Sequence, residues 1–251
     1  MTRLALATRG VQMRFGSFLA NDDVTLEVPV GERRVLIGPN GAGKSTLFNV
    51  LAGQLRPTAG SVELLGQDVT RLPAHRRARM GLARTFQLNN LFTDLTVRQN
   101  VEITLASQSR SRVVFWRDLA SVPGIRARSD ALLDTWEFTD LADLPVSELA
   151  YGQQRVMEIV LAMSTEPQVL LLDEPTAGLA PADAHRLTRL VSELPREITI
   201  IMIEHDMDVA FALADRVTVL HQGSVLADDL PERVAVDRSV LQIYLGDATD
   251  A

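Results

Sequence analysis

Cysteine is absent from the 251 residues. Disulfides, thiolate nucleophiles and thiolate metal ligation are therefore excluded. Long apolar runs are also missing, and no stretch of about eighteen apolar residues is available to span a bilayer. Met1-Thr2-Arg3 leads straight into a short alternating segment, so no signal pattern opens the chain and a cytoplasmic location is expected. Nor is there an excess of basic charge. The net charge is −7, which disfavours a phosphate backbone as the main partner. Arg110, Arg112 and Arg117 form one local basic cluster, read as a solvated helix face. Internal repeats, low-complexity stretches and sustained heptads are lacking as well. What remains is a chain 46% apolar, long enough for one large domain or one domain with an insert.

One segment carries most of the information. Gly38-Pro39-Asn40-Gly41-Ala42-Gly43-Lys44-Ser45 matches G-x-x-x-x-G-K-[ST] at every fixed position. Glycines let the backbone curl so that successive N–H groups face one anion. Lys44 offers a point charge to terminal phosphates, and Ser45 offers a hydroxyl to Mg²⁺. The context agrees. Val35-Leu36-Ile37 reads as a buried strand, and Leu47, Phe48, Val50 and Leu51 follow at helical spacing, closed by Gly53. A helix starting there points its positive end at the bound phosphates.

Around this segment the pattern is that of an α/β protein. Leu4–Ala7, Val11–Phe15 and Val24–Val28 read as three short strands, and Ser61–Leu65 as another. From about Asn89 to Ala162 no strand is predicted. Thr96 with Gln99 forms a capping-box pattern before Val97, Val101 and Leu105, and Leu132, Leu133, Trp136 and Leu141 suggest a further helix. Val169–Leu172 and Ile198–Ile203 are continuous apolar runs, as in parallel strands covered on both faces. A helix from about Ala182 to Leu194 lies between them, giving a βαβ unit.

Several polar residues fall where such a fold binds ligands, at the carboxyl ends of strands. Asp173-Glu174 follows Val169–Leu172, which suits Asp173 to Mg²⁺ and Glu174 to orienting or deprotonating water. His205 follows Ile198–Ile203, with Asp206 as N-cap of the next helix. Gln87 ends Ala83–Gln87, where the helical insert starts. Leu149-Ala150-Tyr151-Gly152-Gln153-Gln154 opens a helix carrying Val156, Ile159, Val160 and Met163, a second glycine-marked helix N-terminus.

Together these segments resemble the ATP-binding cassette family over nearly the whole chain. The resemblance implies a P-loop NTPase core with N-terminal antiparallel strands and an inserted helical subdomain. Residues 4–246 would form the cassette, with 4–88 and 163–246 as the nucleotide-binding core and 89–162 as the helical subdomain. It makes Gly38–Ser45 the Walker A motif, Val169–Asp173 the Walker B motif, Glu174 the catalytic glutamate, Gln87 the Q-loop, His205 the switch histidine and Leu149–Gln153 the signature. ATP would be contacted by Phe15 through its adenine, by Gly38, Pro39, Asn40, Gly41, Ala42, Gly43, Lys44, Ser45 and Thr46, and by Leu149, Ala150, Tyr151, Gly152 and Gln153. Mg²⁺ would be held by Ser45, Gln87 and Asp173, and catalysis carried by Glu174, His205 and Gln87.

More narrowly, Gly81–Gln87, Leu149–Arg155, Glu204–Met207 and the ending Tyr244-Leu245-Gly246 are similar to ATP-binding subunits of branched-chain amino acid importers. Urea-importer subunits share much of this pattern, and a cassette ATPase acting on nucleic acid or ribosomes is the rival from another class. The importer resemblance implies a second ATPase subunit, like or unlike this one, two membrane permeases, an extracytoplasmic binding protein, no nucleic acid, and a place on the cytoplasmic face of the membrane. Leu88, Leu91 and Phe92 follow Gln87 and either meet a permease or fill the insert's own core. The chain departs from the general family pattern at two positions. Ala150 replaces the signature serine, and Ala180 stands where the D-loop usually has aspartate. Lys44, Asp173 and Glu174 are intact, so hydrolysis is expected to survive.

Overall fold

The computed structural model describes residues 3–85, 91–108 and 124–246. Gln87, Leu88, Arg110, Arg112 and Arg117 lie outside the described residues. The chain divides into two compact units, Met1–Arg84 with Gln168–Ala177 and Val191–Ala251, and Thr85–Pro167 with Gly178–Leu190.

In chain order the elements are β1 (Leu4–Phe15), β2 (Phe18–Pro29), β3 (Arg33–Ile37), α1 (Lys44–Leu51), β4 (Ala59–Leu64), β5 (Gln67–Asp68), α2 (Ala74–Ala78) and β6 (Leu82–Arg84). Helices α3 (Val97–Gln108), α4 (Ile125–Thr135) and α5 (Tyr151–Met163) follow. Then come β7 (Val169–Asp173), α6 (Pro181–Ser192), β8 (Thr199–Ile203), α7 (Met207–Leu213), β9 (Arg216–His221), β10 (Ser224–Asp229), α8 (Pro231–Val234) and α9 (Arg238–Gly246).

Two sheets build the first unit. One has the order β2-β1-β4-β5 and is antiparallel throughout. Its sequence signal was broken by a bulge. The predicted segments Leu4–Ala7 and Val11–Phe15 are one strand, whose register with β2 shifts between Thr8 and Val11 around Gly10 at φ 57°. An extra residue there moves the inward face by one position, so the alternation reads as two strands. Val24–Val28 is likewise only the second half of β2.

The other sheet has the order β10-β9-β3-β8-β7-β6, parallel except at the β9–β10 edge. All five β3 residues are buried, Arg34 included. Its guanidinium reaches Glu32 Oε1 at 2.7 Å, Asp228 Oδ1 at 2.8 Å and the Glu27 carbonyl at 3.0 Å, so the buried charge is fully partnered. Leu47 and Phe48 of α1 share one core with Leu6 and Val62 of the first sheet and with Leu171 and Ile201 of the second. The register of the parallel strands sets Leu36 and Asp173 each beside Ile203, so β3, β7 and β8 end at one level.

The second unit has a core of Val97, Val101, Leu133, Trp136, Phe138, Val156, Met157 and Val160. Among its described residues no strand occurs between positions 89 and 162; Thr96 and Pro145 make an isolated bridge. The capping box forms as the sequence predicts, with Thr96 N–H donating to Gln99 Oε1 at 2.9 Å and Gln99 N–H to Thr96 Oγ1 at 3.1 Å. Residues Gly178–Leu190 belong to this unit although connectivity alone groups them with the strands. Arg186 and Arg189 both pair with Glu137, at 2.9 and 3.0 Å, and the Asp183 side chain lies against Gly152.

Candidate nucleotide-binding site

The loop between β3 and α1 is shaped by two close backbone approaches. A Cβ on Gly38, at φ 148°, would lie 2.1 Å from the Leu220 carbonyl oxygen, and one on Gly43, at φ 96°, would lie 2.4 Å from the Ala20 oxygen. Both neighbours are backbone and cannot give way, so these positions admit only glycine. No side chain caps the first turn of α1. Its leading N–H groups therefore keep their capacity for an anion. Lys44 is buried, and its Nζ donates to the carbonyls of Gly38 at 2.6 Å and Pro39 at 2.9 Å. Burial lowers its pKa, opposed by the negative charge of Glu174.

A cleft of about 260 Å³ is lined by Phe18, Ala20, the loop residues Asn40–Thr46, Glu174 and His205. The strands explain this meeting. β3 feeds the loop, β7 ends at Asp173-Glu174, and β8 ends two residues before His205. Glu174 has φ 48°, and its N–H donates to the Ile203 carbonyl at 3.0 Å. His205 Nε2 and Glu174 Oε1 are 2.9 Å apart. Asp206 caps α7 as predicted, accepting from the N–H groups of Asp208 and Val209.

Sequence reasoning missed four contributors. Arg84, at the end of β6, forms an ion pair with Asp173 Oδ2 at 2.6 Å. It also donates to Asn49 Oδ1 at 2.7 Å and Gln54 Oε1 at 2.8 Å and lies 5.7 Å from the Phe48 ring centre. Glu204 is buried and accepts hydrogen bonds from the Thr176 hydroxyl and the His205 N–H. Burial pushes its carboxyl above the usual range, with these two bonds opposing. Tyr244 of α9 makes a hydrogen bond with the Gly38 backbone, while burial pushes its phenol up. Phe18 lines the cleft, whereas Phe15, proposed for adenine, is not among the lining residues; it is 47% exposed and is the cross-strand partner of Phe18. For Arg84 and Glu204 a signal existed, since each is a charge at the end of an otherwise apolar strand. Phe18 and Tyr244 carried none beyond their aromatic character.

Gln87 lies outside the described residues. The segment Leu149–Gln153 sits in the second unit. Ala150 is the N-cap of α5 in extended conformation, and its N–H donates to Gln153 Oε1 at 2.9 Å. A Cβ on Gly152 would come within 2.8 Å of the Asp183 carboxyl carbon. Tyr151 is half exposed, with the Arg155 guanidinium 5.4 Å from its ring centre and Arg155 Nε donating to its hydroxyl at 3.2 Å.

This arrangement of a phosphate loop, two strand-end carboxylates and a histidine suits phosphoryl chemistry on a bound nucleotide. Residues 21–177 match the family model described as ABC transporter. The chain belongs to the ABC transporter family, whose ATP-binding subunits bind and hydrolyse ATP. It is 40% identical, over 99% of its own length and all of the relative's, to the high-affinity branched-chain amino acid transport ATP-binding protein LivG of Salmonella typhimurium. The corresponding protein BraF of Pseudomonas aeruginosa is 38% identical over the same spans. Among solved structures, the ADP conformation of MJ1267, an ATP-binding cassette of an ABC transporter, matches with a TM-score of 0.85 at 31% identity, covering 98% of this chain and all of that one. A dimeric post-hydrolysis cassette bound to ADP and Pi, MJ0796, matches at 0.77 and 25% identity, covering 90% and 98%.

The donor set is compatible with a resident Mg²⁺. No cluster of three or more metal-binding side chains occurs among the described residues. Mg²⁺ is commonly held by one or two carboxylates plus phosphates and water, not by an all-protein cage. Asp173 is a carboxylate of that kind, and the Ser45 hydroxyl is a further oxygen donor.

Proposed function

We propose that this protein is the ATP-hydrolysing subunit of an importer for branched-chain, apolar amino acids, working at the cytoplasmic face of the membrane. The observation that carries the reading is the cleft in which the phosphate loop, Glu174 and His205 meet, in a chain 40% identical along its length to LivG. The absence of a long apolar helix among the described residues accords with a peripheral subunit bound to separate permeases.

In this reading the loop N–H groups and Lys44 hold the phosphates. Lys44 exchanges its two carbonyl partners for phosphate oxygens when nucleotide enters. Ser45, Asp173 and Gln87 would hold Mg²⁺, which would supply positive charge against the phosphates. Glu174 orients and deprotonates the attacking water, and His205 fixes the Glu174 carboxylate and faces the terminal phosphate. Catalysis is then positioning and electrostatics around a loose transition state. The signature segment Leu149–Gln153 serves the nucleotide of a second ATPase subunit. That subunit, two permeases and an extracytoplasmic binding protein complete the assembly, and the binding protein and permeases select the substrate.

Glu174→Gln tests the chemistry. It keeps shape and backbone and loses the carboxylate charge. Hydrolysis is expected to fall by roughly 10²–10⁴-fold, the usual worth of a general base, while fluorescent-nucleotide titration shows ATP affinity retained. Turnover within about twofold of wild type, ~0.4 kcal/mol on the barrier, refutes the role. The substrate is tested by purifying the chain from detergent-solubilised membranes and identifying the ligand of the co-purifying binding protein. Urea or an amide in place of a branched-chain amino acid refutes that part.

A further inference from the structure

We infer that Glu204 is a positioning residue for hydrolysis, a buried carboxylate strut that fixes the Glu174-bearing loop against the His205-bearing segment. The inference rests on the proposed roles of Glu174 and His205.

Glu204 is 2% exposed. One carboxylate oxygen accepts from the hydroxyl of Thr176, two residues beyond Glu174; the other accepts from the His205 N–H at 3.2 Å. The same two segments meet twice more, through Glu174 N–H to the Ile203 carbonyl and through His205 Nε2 at 2.9 Å from Glu174 Oε1. Glu204 thus occupies the centre of a small network whose exposed tips are the two groups that face the cleft. Its own main chain is fixed from behind, with its N–H directed at the Leu36 carbonyl of β3 at 3.4 Å.

A carboxylate suits this position because both of its contacts are donors. One oxygen takes an O–H and the other an N–H, and an amide in its place turns an NH₂ group toward one of them. An apolar residue of similar size satisfies neither. Glu174 stands at φ 48°, a conformation uncommon for side chains other than glycine and asparagine. Such a backbone persists when its surroundings over-determine it, and the Thr176 bond to Glu204 supplies one of the restraints. Glu204 does not line the cleft, so its effect on the reaction passes through the placement of Glu174 and His205.

The experiment uses full-length chain purified from solubilised membranes with the subunits that accompany it. Five variants are compared with wild type: Glu204→Gln, Thr176→Val, the double variant of these two, Thr176→Ser, and Glu174→Gln as the reference. Each is measured for kcat, KM for ATP, affinity for ADP and melting temperature. Glu204→Gln and Thr176→Val are expected to lower kcat by roughly tenfold or more, as misplacement of a catalytic group by a fraction of an ångström does, with KM and ADP affinity within about twofold of wild type. Thr176→Ser, which keeps the hydroxyl, is expected to retain wild-type kcat. The double variant Glu204→Gln/Thr176→Val is expected to be no slower than the slower single one, because the two act through one bond. If Glu204→Gln does not fold, the Thr176 pair carries the same test. Normal kcat in Thr176→Val and in any folded Glu204→Gln overturns the strut, as does a parallel loss of ADP affinity or failure of Thr176→Ser to preserve turnover. Full activity in Glu174→Gln instead overturns the reading on which the inference stands.

Discussion

The ion pair between Arg84 and Asp173 makes a quantitative claim on the site. Both side chains are largely buried, 11% and 14% exposed, and the pair is 2.6 Å apart. Arg84→Ala removes the ion pair that Arg84 makes with the Asp173 carboxylate. Removing one member of a buried pair costs about 3–5 kcal/mol. The residual exposure of Asp173 moves the expected value toward the lower end. Lost bonds to Asn49 and Gln54 add ~0.5–1.5 kcal/mol each if nothing replaces them, though water at these partly open sites supplies most of that. A total near ~3 kcal/mol follows, equal to roughly 6–12 °C in melting temperature for a chain of this size.

The assay is thermal unfolding of Arg84→Ala against wild type, with EDTA and then with saturating Mg²⁺-ADP. In the proposed site a divalent cation would stand beside Asp173 and restore the missing positive charge, so the gap between the two proteins is expected to narrow with Mg²⁺-ADP. Arg84→Ala/Asp173→Asn is expected to be more stable than Arg84→Ala, because the buried carboxylate that has lost its ion pair with Arg84 is replaced by a neutral amide. Destabilisation under about 1 kcal/mol, typical of a surface pair, or a gap indifferent to Mg²⁺-ADP and to Asp173→Asn refutes the argument.

Three further outcomes follow from other residues. Lys44→Ala removes the loop's cation and is expected to abolish ATP binding in equilibrium titration while the circular dichroism spectrum is kept; normal affinity refutes the phosphate-loop assignment. Ala150→Ser is expected to raise melting stability by ~0.5–1 kcal/mol, since serine caps α5 where alanine cannot, and to tighten ATP-driven dimerisation in sedimentation. Phe92 is 55% exposed, which weighs against its filling the second unit's core; Phe92→Asp is therefore expected to fold and bind ATP yet abolish amino-acid uptake in cells, and unimpaired uptake removes it from the permease contact.

Much of this was present in the sequence for a physical reason. The phosphate loop is a local structure. Gly38, Gly43, Lys44 and the adjoining strand and helix are contiguous, and their chemistry needs these residue types at this spacing. Buried parallel strands write themselves as continuous apolar runs, so β3, β7 and β8 and the residues at their ends were legible. The capping box of Thr96 and Gln99 and the Asp206 cap are also local, and both form.

Other features depended on pairing across the chain. A bulge at Gly10 hid one strand as two, because alternation is lost wherever a residue is inserted. The 84–173 ion pair and the 176–204 hydrogen bond join residues 89 and 28 positions apart, and only the order β3-β8-β7-β6 brings them together. The close approach of Leu220 to Gly38 and of Ala20 to Gly43 is set by the sheets and not by the loop. Sequence alone determined that a phosphate loop exists and which acids stand at strand ends. Tertiary structure decided what those acids lean on, since strand order and register are long-range properties that no local pattern encodes.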